Sequence, residues 1–164
     1  TQFKGVQTLW ARFPEVMRDS LLPAITEIDL LMQDELQQQL PRGAGGISGG
    51  TGLVGSVFTE EQSLADNVIG MVASPLPYAE YVELGTKPHF PPIEPLVDWV
   101  MAKLGITDET EANSVAFLIA RKIAHVGTKP DGTWARVADA TQPEANIRIG
   151  LAIDRALDAL GAPQ

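Results

Sequence analysis

The 164-residue sequence contains no cysteine. Disulfides, thiolate metal ligands and thiol nucleophiles are excluded together, and stability has to come from packing. Histidine is scarce too. His89 and His125 stand far apart with neither HxxxH nor HExxH spacing, so no metal site is expected. Long apolar runs are missing: nothing approaches the ~18 consecutive apolar residues that a bilayer span needs. The opening Thr1-Gln2-Phe3-Lys4 does not read as a signal peptide, and the lack of a leading Met leaves room for a removed segment. Positive charge is in deficit, with 12 Lys/Arg against 21 Asp/Glu and a net charge of −9. The deficit is spread along the chain, at −5 over residues 1–66 and −4 over 67–164. Neither half offers the basic stripe that phosphate binding requires. Specific nucleic-acid binding is therefore not expected, although an acidic surface lets DNA pass nearby without sticking.

Catalytic spacing is equally sparse. Gly46-Ile47-Ser48-Gly49 misses the Gly-x-Ser-x-Gly elbow, and the glycine-rich stretch lacks the Gly-Lys-Ser/Thr of a phosphate loop. The carboxylate pairs Glu60/Glu61 and Asp108/Glu109 fall in a polar linker and at a helix start, where they solvate the chain or complement a dipole. No enzyme activity and no cofactor are expected. A small hydrolase would need polar groups converging in a pocket, and no spacing points to one.

What is present reads as an ordinary globular chain, 45% hydrophobic and 20% charged, long enough for one domain with its own core. Residues 6–41 are helical in pattern: Leu21, Ile25, Ile28, Met32, Leu36 and Leu40 recur at three- and four-residue intervals. Pro14 and Pro23 predict a short first helix and a longer one starting near Pro23, ended by Pro41. Residues 42–52 hold six glycines in eleven and read as a flexible loop. The β-branched runs 53–59 and 67–74, separated by polar 60–66, predict an antiparallel hairpin over 53–75 that Pro75 and Pro77 end. Further helices are expected over about 94–104, with Pro95 at its first position, and over 108–126, with Asp108 and Glu111 at capping-box spacing. The stretch 144–160 carries both strand and helix patterns, and its Ala/Leu content favours helix. Gly85-Thr86-Lys87-Pro88 recurs as Gly127-Thr128-Lys129-Pro130, too short for a repeat architecture, and each copy is expected to mark a turn. The fold class is α+β: a small hairpin-based antiparallel sheet packed by a long N-terminal helix and two or three further helices.

The most informative stretch is Tyr78-Ala79-Glu80-Tyr81-Val82-Glu83-Leu84-Gly85-Thr86-Lys87-Pro88-His89-Phe90-Pro91-Pro92. It combines an extended or single-turn segment, a glycine turn and an arm stiffened by three prolines. Such an arm loses little entropy on docking. Phe90 has two readings, a plug for a neighbour's pocket or a side chain folded back on its own core.

This run resembles the YAxYVExGTxPHxPP signature of the tailed-bacteriophage head–tail joining proteins, a family that includes neck, tail-completion and minor tail proteins. Pro95-Leu96-Val97-Asp98-Trp99-Val100 is similar to that family's following helix. Ala120-Arg121-Lys122-Ile123-Ala124 with Gly127-Thr128-Lys129-Pro130 is similar to its second helix and turn. Upstream, Pro41, Thr51-Gly52-Leu53 and Ser56-Val57 resemble its entry into the hairpin. The matches run in order from Pro41 to Pro130. The sequence departs from the family in its long 43–50 loop and in keeping only Trp134, behind Asp131-Gly132, of an aromatic pair.

The resemblance implies a virion protein at the head–tail junction, assembled in the host cytoplasm. It implies a homo-oligomeric ring of six or twelve copies between connector and tail-tube proteins, with DNA in the channel and no membrane contact. On that expectation the contact residues are Gly45, Gly46, Ile47 and Ser48 of the glycine-rich loop, with Tyr78, Tyr81, Glu83, Lys87, Pro88, His89, Phe90, Pro91 and Pro92 of the arm, and Trp134. A tail terminator or minor tail protein is the alternative within the family. A non-virion adaptor that uses the same arm is the alternative outside it.

Overall fold

The computed structural model describes residues 2–41, 52–64 and 67–161. It is an α+β fold, 72% helical, with one two-stranded antiparallel sheet. The elements run α1 (Gln2–Gln39), α2 (Gly52–Ser56), β1 (Phe58–Ser63), β2 (Val68–Ala73), α3 (Ala79–Leu84), α4 (Ile93–Leu104), α5 (Glu109–Val126) and α6 (Thr133–Gly161). They divide into two compact units. One comprises Thr1–Glu35, Phe58–Ala73 and Val137–Gln164; the other comprises Leu36–Val57 and Ser74–Arg136.

The first unit contains the hairpin, most of α1 and most of α6. The expected break of α1 at Pro14 and Pro23 does not occur, and both prolines lie inside one continuous helix. Each removes one backbone donor, but both rings are exposed, so the donor is lost on the solvent side of the helix. The buried face, with Ala24 and Ile28, then runs on past Pro23. Likewise α6 starts eleven residues before the expected 144–160 helix, and Pro143 sits within it on the exposed side. Its buried stripe is Val137, Thr141, Ala152, Ala156 and Leu160, and the Thr141 hydroxyl donates to the Val137 carbonyl at 2.8 Å. Leu157 is exposed. Arg148 bridges the helices, 2.5 Å from Glu27 of α1 and 2.9 Å from Glu144. The Glu27 and Glu144 carboxylates are solvent-accessible, so the pairs add little stability.

The second strand of the hairpin lies where expected, as β2, but the first begins later than the expected 53–59. Residues 53–56 are helical, because Leu53 and Val57, four apart, are both buried on one side. The Ser56 hydroxyl lies 2.7 Å from the Leu53 carbonyl and 2.7 Å from the Ser74 hydroxyl. The polar stretch expected as a turn supplies Glu60–Ser63 of β1, which pairs from Phe58↔Ala73 to Ser63↔Val68. Gly70 of β2 faces α1. A methyl group there would collide with the Asp29 carboxylate and the Ile25 side chain, which would have to shift to admit it. Asp29 is buried and its Oδ2 has no hydrogen-bond partner. Burial, reinforced by the Glu61 charge, pushes the Asp29 carboxyl up from 3.8 to about 6.

In the second unit α4 and α5 pack through Val97, Val100, Ala112 and Ala116, flanked by Ile93, Leu96, Ile106, Val115 and Ile119. Pro95 is the third helical residue rather than the first, after Pro92 at the cap position. First-turn amides have no intrahelical acceptor, so proline is tolerated there as well. The Asp108 side chain accepts from the Glu111 amide at 2.8 Å, as the capping spacing predicted.

Asp29 makes the stability of this fold pH-dependent. Native Asp29 holds its proton more tightly than the unfolded chain does, so stability falls as pH rises through the window from 3.8 to about 6 and then levels off. Asp29→Asn is expected to raise unfolding stability by ~1–3 kcal/mol at slightly alkaline pH. The gain should vanish in acid below the window, and urea titrations across the pH range would read both limits.

Candidate functional site

The signature segment lies wholly in the second unit. Tyr78 precedes α3, a helix of six residues where the sequence allowed an extended run or a single turn. Gly85 ends α3 at φ 70°, ψ −178°, and Gly127 follows α5 at φ 72°, ψ −162°. Backbone with positive φ and ψ near 180° is essentially confined to glycine. The next residues, Thr86 and Thr128, form an isolated antiparallel bridge. Each amide donates to the other's carbonyl at 3.2 Å, and the two hydroxyls are 3.1 Å apart. The two Gly-Thr-Lys-Pro copies are therefore turns, as expected, and they are also each other's partners. A methyl at Gly85 would strike the Thr128 carbonyl, and one at Gly127 the Thr86 carbonyl. Two motifs 42 residues apart thus form one clasp that joins the C-terminal ends of α3 and α5.

A second joint lies beside it. The Glu83 carboxylate accepts from the Trp134 and Ala135 amides, each at 3.0 Å, and so caps α6 from a different helix. The Val82 and Glu83 carbonyls accept from the Asp131 and Gly132 amides at 3.0 and 3.2 Å. Arg136 reaches back to the Asp131 carbonyl at 2.5 Å and to the Thr133 hydroxyl at 2.8 Å, while that hydroxyl donates to the Asp131 carboxylate. Thr133 is completely buried.

The expected contact residues consequently separate. Glu83 faces inward as a helix cap, and Trp134, part-buried, supplies one of the amides it holds. Tyr78, Tyr81, Lys87, Pro88, His89, Phe90 and Pro92 are exposed, and Pro91 is half-buried. The His89 ring Nδ1 donates to the Lys87 carbonyl at 2.9 Å, which fixes the turn at the start of the arm. Phe90 folds back edge-on to Phe117 of α5, with ring centres 6.2 Å apart, yet stays 55% exposed. Gly45, Gly46, Ile47 and Ser48 lie outside the described residues. Spacing did not single out Thr86, Thr128, Asp131, Thr133 or Arg136, although the Gly-Thr-Lys-Pro echo was the available sign of the first two.

Glu80, Tyr81, Leu84, Lys87 and His89 line an open depression of about 600 Å³. Tyr81 is 60% exposed and Leu84 66%. This is an apolar surface with a few charges and no converging acid–base pair. Among the described residues no group of three His, Asp or Glu side chains could hold a metal ion, and no helix is long and apolar enough to cross a membrane. No protein-family model, curated protein or solved structure matches the chain.

The two joints should contribute separately to stability. Glu83→Ala leaves two α6 amides without an acceptor and is expected to lower stability by ~1–2 kcal/mol. Gly127→Ala adds backbone strain to a carbonyl collision and should lower it by ~3 kcal/mol or more. Denaturant unfolding followed by circular dichroism would measure both.

Proposed function

We propose that this chain is a structural subunit of the head–tail junction of a tailed bacteriophage, a neck or tail-completion component that works by assembly. Support comes from the ordered resemblance between Pro41 and Pro130 and from the division of labour within its signature. Glu83, Gly85 and Thr86 hold the unit together from inside, while Tyr78, Tyr81 and Phe90 of the same fifteen-residue run remain on the surface. The exposed aromatic and apolar set around the clasp is the observation that carries the reading. A rigid internal frame presents large side chains to water, and a protein–protein contact would bury them. Pro88, Pro91 and Pro92 keep the arm near one conformation before it docks.

On this reading the subunit closes a ring around the DNA channel and joins the connector side to the tail. The acidic composition keeps the passing duplex from adhering.

Mass spectrometry of purified virions is expected to find this polypeptide in mature particles; its absence would remove the proposal. In a complementation assay, Tyr81→Ser combined with Phe90→Ser should cut the yield of tailed particles by about tenfold or more, as hot-spot loss does at interfaces. The helical circular dichroism signal should stay unchanged, because neither side chain is buried.

A further inference from the structure

Asp29 is a carboxylate without a partner for its charge. It is buried on α1, and its Oδ2 accepts no hydrogen bond. Its neighbours one turn away on the same helix, Ile25, Thr26, Met32 and Gln33, carry no charge. From the hairpin, Glu61 faces it and adds a second negative charge. On the α6 side of α1, Arg148 is engaged by Glu27 and Glu144, and Arg155 lines the same cleft. Among the described residues no cation pairs with Asp29. A charge so enclosed has two outlets. It takes up a proton, or the wall in front of it moves and admits water.

That wall is the hairpin. Gly70 of β2 presses on the carboxylate, and Val68 and Val72, two residues to either side, share its face. Opposite them stand Ser63, Glu61 and Thr59 of β1. No residue of either strand is fully buried, whereas α1 buries Ala24 and Ile28 in the same unit. The hairpin is therefore held to α1 by half-buried contacts, and it is the side of the seam that yields more easily. A two-stranded ribbon is marginal by itself in water, so once lifted off α1 its ladder frays.

We propose that Asp29 is the catch of a proton-operated latch: the hairpin stays seated on α1 while this carboxyl is neutral, and detaches and frays in a local opening when it ionises. The released form remains a minority, because opening returns Ile25, Val68 and Val72 to water. Its share depends on pH. The carboxyl is pushed up from 3.8 to about 6 in the closed seam and regains its ordinary value in the open one. Opening is therefore insensitive to pH below that window, rises through it and levels off above it. The device does not depend on a role at a head–tail junction. What it governs is how often the inner faces of the hairpin and α1 are open to water and to a partner.

Amide hydrogen exchange on the full chain reads the latch, expressed as protection factors so that the intrinsic pH dependence of exchange cancels. Protection over β1 and β2 should fall by about a hundredfold from the acid side of the window to neutral pH. At neutral pH it should respond only weakly to dilute urea, because a local opening exposes little surface, whereas protection over α5 should fall with urea. Asp29→Asn should hold the hairpin at its acid level of protection at neutral pH. Glu61→Gln should shrink the pH response and move it toward acid. Hairpin protection that ignores pH would overturn the proposal, as would a pH response that survives in Asp29→Asn. One protection level and one urea slope shared by the hairpin and α5 would replace the latch with global unfolding. Carboxyl-carbon NMR of the unaltered chain adds a check that needs no variant to fold: an Asp29 titration centred on the ordinary 3.8 would also sink the idea.

Discussion

The reciprocal pair of backbone hydrogen bonds between Thr86 and Thr128 is the constraint on which the second unit depends. It is small, one bridge with a hydroxyl contact, but it fixes where α3 and α5 end relative to each other. Both flanking residues must be glycine, because each approaches the other segment's carbonyl with a backbone conformation closed to other residues. With α3 held in this way, Glu83 is presented to the start of α6 and the α6 amides gain an acceptor that their own sequence lacks. Clasp, cap and arm follow one another within a few residues, so the surface that Tyr81 and Leu84 form is built on fixed backbone.

The distribution of apolar side chains explains why such a surface exists. Buried positions on α5 and α6 are largely alanine: Ala112, Ala116, Ala120, Ala152 and Ala156. Alanine lets backbones approach closely but removes little apolar area from water per residue. Larger side chains such as Phe117, Leu118, Val126, Ile147 and Leu151 lie outside. The packed sides of these helices are thus narrow, and much of the large apolar surface remains in water.

Much of the fold was legible in the sequence. Helices with clear punctuation were placed well: α5 starts at Asp108's cap and ends before Gly127, and α4 ends before Gly105. The prolines misled, because sequence does not show which side of a helix faces water, and Pro14, Pro23 and Pro143 all lie on the wet side, where a lost donor is tolerated. Residues 53–56 misled because β-branched content was weighed above the four-residue spacing of Leu53 and Val57. At the site, spacing marked the right segment but did not separate inward Glu83 from outward Tyr81. That distinction depends on a helix start fifty-one residues away.

The fit of Asp29 over Gly70 has a consequence for how the hairpin assembles. A slip of β2 by two residues would keep the same faces in and out while bringing the larger Val68 or Val72 against the Asp29 carboxylate and Ile25. The carboxylate on α1 thus acts as a gauge that admits one alignment of the ribbon and rejects its nearest counterfeits, a selectivity obtained by leaving a charge awkwardly enclosed.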